Sequence, residues 1–524
     1  MQDLAIKLSM LLVFFAVMVG IGLYCRRHAT DVSGFVLGGR SVGPWLTAFA
    51  YGTSYFSAVV FVGYAGQFGW KYGIAATWAG IGNALLGSLL AWVVLGRRTR
   101  VMTQHLDSAT MPQFFENRFQ SRSLKLAASA IIFIFLIPYT ASLYNGLSRL
   151  FGMAFHVDYA VCVIAMAVLT GVYVIAGGYM ATAINDFIQG IIMIVGIIAV
   201  VGAVLKSQGG FLAALDGLAR VSDPAVSDTP GVFASFFGPD PVGLLGVVLL
   251  TSLGTWGLPQ MVQKFYAIRS EKAIDKGTII STVFAAIVAG GCYFLGGFGR
   301  LFSDQVDVAA HGYDSIVPTM LEGLSTVLIA VVVILVLSAS MSTLSSLVLA
   351  SSSTLTLDFI KDTIVKDMDE KRQILTMRLL IVVFIAISVV LAIVQYRSNV
   401  TFIAQLMGVS WGALAGAFLA PFLYGLYWKK TTRGACWASF LFSTVVMLAN
   451  IFFGKYFPTL LQSPINAGAF CMLAGLIIVP VVSLVTPRLP QGQIDRIFAC
   501  YDRKVVVSVK DSIGDHTNPK EETP

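Results

Sequence analysis

The chain has 524 residues, of which 57% are hydrophobic and only 12% charged, and its mean hydropathy is +0.81. Soluble proteins carry about 25% charged residues, so this composition excludes a large water-soluble domain and points to a chain that crosses a membrane many times. The formal charge of +8 does not imply a nucleic-acid partner, because the basic residues follow the loops of one membrane face and form no single patch.

A crossing needs roughly 20 apolar residues. Thirteen segments qualify: 6–24, 42–69, 74–96, 126–155, 158–176, 182–205, 241–267, 278–302, 316–357, 376–396, 399–425, 433–454 and 464–486. The tail from Pro487 is polar and is expected to lack order at its end. With the N-terminus outside, the inward segments (25–41, 97–125, 177–181, 264–277, 358–378, 429–433 and the tail) hold 27 of the 35 Lys and Arg. That bias predicts an N-out, C-in multi-pass protein of a cell membrane, a bacterial inner membrane by default. The six cysteines form no CxxC pair and the five histidines no HExxH, so neither a metal site nor a disulfide framework is expected. No nucleophile–base cluster suggests an enzyme.

Two spans are interrupted. In the second, Gly52, Thr53, Ser54 and Ser57 break the apolar run. In the seventh, Gly254, Gly257 and Pro259 do so. Backbone groups freed at membrane depth persist where they line a cavity or bind something. Spans 2–6 and 7–11 form two sets of five, each opening on its interrupted helix. An odd number inverts the second set, and paired interrupted spans are a pointer to a transporter binding site. The chain then divides into an extra helix and first cytoplasmic loop (1–41), a first five-helix repeat (42–205) and an extracellular loop (206–240). A second, inverted repeat (241–425), two peripheral helices (426–486) and a cytoplasmic tail (487–524) follow. The fold class is all-α and polytopic.

Two further features bear on function. Leu337 to Asp358 reads LSASMSTLSSLVLASSSTLTLD, and Ala339, Ser342 and Thr343 fall on one helix face at i, i+3, i+4. Neutral oxygens of this kind suit a hard cation. The same face also fits close helix packing, with hydroxyls bonded back to the preceding turn. Asp186 lies about one turn inside the sixth span. It is either a cation-binding carboxylate or an acid stabilised at a helix start.

FVLGGRSVGPWLTAFAYGTSYFSA, GGYMATAINDFIQGIIM, GTWGLPQMVQKF and SASMSTLSS followed by STLTLD together resemble the solute:sodium symporter family, over about residues 5 to 486. The family includes sodium/proline, sodium/glucose and sodium/sialic acid symporters. The resemblance implies the leucine-transporter-type inverted repeat of five plus five helices, with Na+ as the coupling ion. It implies a sodium site at Thr53, Phe56, Ala339, Ser342 and Thr343. A possible second sodium would use Asp186, Ser342, Ser345 and Ser346. Tyr139 matches a family aromatic that touches substrate. Proline-type members carry Asp where Tyr55 stands here, and aromatics at Thr251 and Thr255, so the solute site looks rebuilt. The candidate solute residues are Ser54, Tyr55, Ser57, Tyr139, Asn145, Thr255, Trp256 and Gln260. The expected function is sodium-coupled symport of a small polar organic solute (amino acid, carboxylate, sugar or vitamin) by alternating access. Proton coupling through Asp186 and a non-transporting membrane sensor are the alternatives. The partners are sodium, the solute and the bilayer, with no obligate protein partner evident.

Overall fold

The structure is a computed structural model that describes residues 2–155, 158–308, 312–365, 367–398 and 403–502. Its long helices are α1 (Gln2–Cys25), α2 (Pro44–Tyr55), α3 (Arg122–Phe155), α4 (Tyr159–Ser207), α5 (Pro241–Gly257) and α6 (Pro259–Ala267). They continue as α7 (Glu271–Gly296), α8 (Thr326–Thr354), α9 (Glu370–Ser398), α10 (Ile403–Tyr427), α11 (Arg433–Phe453) and α12 (Pro464–Val485). Between α2 and α3 the chain is helical through most of Val59–His105. Among the described residues there is no extended strand, and only two isolated β-bridges form. The end of the tail, beyond residue 502, lies outside the described residues.

Among the described residues, ten helices are long and apolar enough to cross a membrane, or eleven if the bent pair α5–α6 is one span. That is fewer than the thirteen expected, and two of the ten, Val59–His105 and α4, run to 47 and 49 residues. α4 is interrupted at Gly178, where φ is +54°. The expected span from Ile316 is also different. A short helix, Ile316–Glu322, stops at Gly323, and α8 starts afresh after Ser325.

Burial separates a centre from a rim. The most apolar windows of α10 and α8 are 94% and 72% buried, against 28% to 39% for α1, α4, α9, α11 and α12. α8 packs against α2, α3 and α4, and α10 packs against α5, α11 and α12. Residues facing lipid need no polar compensation, and the exposed side chains of the rim helices include many large apolar ones, such as Val161, Val195 and Ile198 of α4. α8 instead carries most of its hydroxyls fully buried.

Both interruptions are real breaks. At the first, Phe56 is extended (φ −86°, ψ 116°) between α2 and the helix that resumes near Val59. At the second, Leu258 is extended (φ −79°, ψ 125°), and α5 and α6 meet at 46°. Glycines let the neighbours close in. A Cβ on Gly257 would lie 2.8 Å from Ala415 Cα and 2.9 Å from Leu419 N, both backbone atoms of α10.

The leading end of the first broken span and the trailing end of the second are joined by main chain. Val42 N donates to Ala267 O at 3.2 Å, and Arg269 N donates to Val42 O at 3.0 Å. Arg40 reinforces this end by donating to Tyr266 O (3.2 Å) and Ser108 O (2.7 Å). At the other end of these spans, Arg300 donates to Trp70 O and to Asp223, both at 2.7 Å, and pins the 206–240 segment.

Two outcomes are expected. Gly257→Leu drives atoms into the α10 backbone, which cannot move aside as a side chain can. It should destabilise by about 1–3 kcal/mol or more, read as a lowered Tm in detergent. Gly20→Leu, with nothing within 4 Å, should be neutral. The Arg300 guanidinium holds the Asp223 carboxyl below the usual carboxylate range. A depressed acid stabilises the fold above its unfolded pKa of about 3.9, and that contribution is lost as pH falls through the lowered value. Hydrogen exchange across residues 206–240 should therefore rise below about pH 4. Asp223→Asn should exchange faster already at neutral pH and lose the acid step.

Candidate cation and solute site

Every helix leaves its last carbonyls without partners in the helix. α2 ends inside the bundle, with Thr53, Tyr55 and Phe56 buried away from bulk water. α8 passes this end with Ser342 and Thr343. Thr343 Oγ1 lies 3.0 Å from Thr53 O, 3.2 Å from Phe56 O and 3.0 Å from Ala339 O. Ser342 Oγ lies 3.2 Å from Thr53 O and 3.1 Å from Ala339 O. The contacts to Ala339 are the back-bonding that any helical Ser or Thr can make. The other three reach a different segment.

Counting protons decides what the cluster can hold. Two hydroxyl hydrogens face three carbonyls through five short contacts, so acceptor lone pairs are in excess. All five residues are essentially fully buried. A hard cation at ligand distances near 2.4 Å would set neighbouring oxygens about 3.4 Å apart. The observed 3.0–3.2 Å needs only a small expansion, with the hydroxyl hydrogens rotated outward. The negative end of the α2 dipole favours the same sign of charge. The structure thus brings together the five residues expected to hold sodium.

The possible second set is distributed differently. Ser345 Oγ donates to Ser342 O at 2.8 Å, within its own helix. Ser346 Oγ is 2.9 Å from Ser54 Oγ and accepts from Lys264 Nζ at 3.0 Å. Asp186 is fully buried, neither carboxylate oxygen has a hydrogen bond, and Lys264 Nζ is 3.8 Å from Oδ2. Lys264 was missed by sequence reasoning, which counted it with the cytoplasmic loop 264–277. It is in fact buried on α6, with its side chain 3% exposed. The signal available was its i, i+4 spacing from Gln260 on a broken span.

The expected solute residues divide into two groups. Tyr55, Tyr139 and Gln260 are buried, and the polar atoms of Tyr55 and Gln260 lack any hydrogen bond. The Tyr139 ring meets Trp411 edge-on at 5.9 Å, and its hydroxyl faces the Trp411 indole N–H and Ser57. Buried polar atoms of this kind are rare in folded proteins and point to a missing partner. Other members of the expected set serve structure. Ser57 Oγ accepts from Val59 N at 3.2 Å and starts the resumed helix. Ser54 bonds Ala50 and Ser346. Asn145 accepts from Tyr159, whose hydroxyl also lies 3.2 Å from Ala392 O of α9. Thr255 and Trp256 donate to Gly87 O and Leu86 O, each at 2.9 Å, and so fasten α5 to its neighbour. Asn83, Ser252 and Tyr293 carry unpartnered buried polar atoms that the sequence did not single out.

Comparisons with known proteins bear on the family and the fold. The model of the sodium:solute symporter family matches residues 35–442. Sodium/proline symporters of Staphylococcus aureus strains JH9 and N315 are each 29% identical over 492 residues, covering 92% of this chain and 92% of theirs. Among solved structures, a substrate-bound, outward-open Na+-coupled sialic acid symporter superposes with a TM-score of 0.71. It is 17% identical and covers 93% of this chain and 99% of its own. The fold is therefore the leucine-transporter-type inverted repeat of helices, as expected.

Within the cluster, Thr343 Oγ1 has the most oxygen neighbours. Thr343→Ala should weaken sodium binding about ten- to a hundredfold, the loss of one charge-assisted contact. Thr343→Ser should restore most of it. Sodium titrations of thermal stability on purified protein would check both, and equal sodium responses in all three proteins would refute the assignment.

Proposed function

The chain belongs to the sodium:solute symporter family, and we propose that its coupling sodium sits among Thr53 O, Phe56 O, Ala339 O, Ser342 Oγ and Thr343 Oγ1. The protein is a multi-pass membrane transporter that couples a small organic solute to sodium, and it is not an enzyme. The observation that carries the sodium assignment is the excess of acceptors over protons where the end of α2 meets α8.

The sodium joins two elements that have no covalent continuity, the first broken helix and α8. Its binding orders the end of α2 and with it Tyr55, two residues from Thr53. Solute then binds beside Tyr55, Tyr139, Gln260 and Trp411, and the bundle rocks to release both on the other side. Coupling is reciprocal, so solute should tighten sodium by the factor by which sodium tightens solute. The buried polar groups here are phenols, an amide and an indole N–H. They suit a small neutral or zwitterionic molecule whose carboxylate, if present, is met by sodium and by helix N-termini. The names of the Staphylococcus aureus relatives make proline the first solute to try. The departure at Tyr55 makes other small amino acids the next. The repeats lie at 42–205 and 241–425, with the N-terminus outside, the C-terminus in the cytoplasm and a bacterial inner membrane as the site.

Thermal stability in sodium against potassium, with proline, other amino acids, sugars, carboxylates and vitamins, tests this reading, because a ligand stabilises the state it binds. A sodium-specific rise that grows with one compound is expected. That compound should then accumulate in proteoliposomes under an inward sodium gradient. Uptake that ignores sodium and follows a pH gradient would replace this reading with proton coupling through Asp186.

A further inference from the structure

Asp186 is a carboxylate at membrane depth with no hydrogen bond to either oxygen. A bare charge there is costly and demands a counter-charge. The cation beside it is Lys264, 3.8 Å from Oδ2. Its ammonium donates to Ser346 Oγ at 3.0 Å and lies 5.1 Å from the centre of the Tyr179 ring. The nitrogen is thus surrounded by a carboxylate, a serine hydroxyl and an aromatic face, and its side chain is 3% exposed. A free monovalent cation would choose the same company.

This place borders the five-oxygen cluster. Ser346 Oγ is 2.9 Å from Ser54 Oγ, and Ser54 follows Thr53 in the chain. Ser346 itself lies one helical turn beyond Ser342 on α8. Without Lys264, the Asp186 carboxylate would face the serines of α8 beside the first cation, the arrangement that would draw in a second. Lysine carries a compact point charge on a flexible stem, with donors that rotate freely. It can therefore stand where a small ion would.

We propose that the Lys264 ammonium is a tethered cation that takes the place of a second sodium, so the protein binds and moves one sodium per solute. The tether is α6, the second half of the second broken span, while Asp186 is on α4 and Ser346 on α8. One covalently held charge joins these three helices in every cycle without being released. This inference rests on the sodium-symport reading, and the experiment separates the two.

Radiolabelled sodium would be counted on the purified full-length chain at saturation. One ion per protein is expected, with a binding slope near one. Lys264→Met should expose the carboxylate and raise the count to two, with a steeper slope. It should also show a larger sodium-induced rise in Tm than the native chain. The double variant Lys264→Met with Asp186→Asn should return to one, and Lys264→Arg should stay at one. Two ions on the native protein would overturn the tethered-cation inference and leave sodium symport standing. One ion on folded Lys264→Met would overturn it as well. No sodium on the native protein would instead overturn the five-oxygen site and, with it, this inference. If Lys264→Met does not fold, Lys264→Gln is counted in its place. If neither folds, the native count decides, one ion supporting the inference and two overturning it.

Discussion

A helix that stops inside a membrane leaves carbonyls with nowhere to turn, and this constraint shapes the centre of the protein. In water the end of α2 would be hydrated at no cost. At its depth each unpaired carbonyl costs several kcal/mol (~2–7). α8 answers with two hydroxyls at the one height where they are needed. They satisfy the break incompletely, and the remainder is where we propose that sodium binds. The same arithmetic explains why α8 is both the most hydroxyl-rich helix and one of the most buried.

The rest of the architecture serves to hold that junction still. Gly257 lets α5 sit directly on the α10 backbone, and Thr255 and Trp256 tie α5 to the stretch around Gly87. Gly52, in the last turn of α2, lies so close to Phe284 of α7 that a Cβ would sit 2.3 Å from the ring. These contacts hold the broken ends close against their neighbours.

Much of this was legible in the sequence, and what was not has a physical reason. Hydropathy marks apolar runs but cannot see a helix that carries on past the membrane or one that stops and restarts. Hence the disagreement at Ile316, where Gly323 resets the chain. The i, i+3, i+4 spacing of Ala339, Ser342 and Thr343 was enough to place three oxygens on one face, because helix geometry is local. Their meeting with Thr53 and Phe56, some 290 positions away, was accessible only through family resemblance. Lys264 was misplaced because charge near the end of an apolar run normally signals a loop, and only the partner across the bundle, Asp186, reveals otherwise. The solute residues were mixed for a related reason. Composition identifies polar side chains at depth but not whether a backbone carbonyl such as Leu86 O already occupies them.

The main-chain pairing of Val42 with Ala267 and Arg269 sets how the protein can change over time. A gate built of side chains can be weakened or retuned by a single substitution. A gate built of peptide groups has no side-chain identity to lose, and any residue except proline can supply it. The two broken spans are therefore latched in a way that is nearly blind to sequence. The proposed solute cage, made of phenols, one amide and an indole, is open to change by single substitutions, while the main-chain pairing beneath it is not.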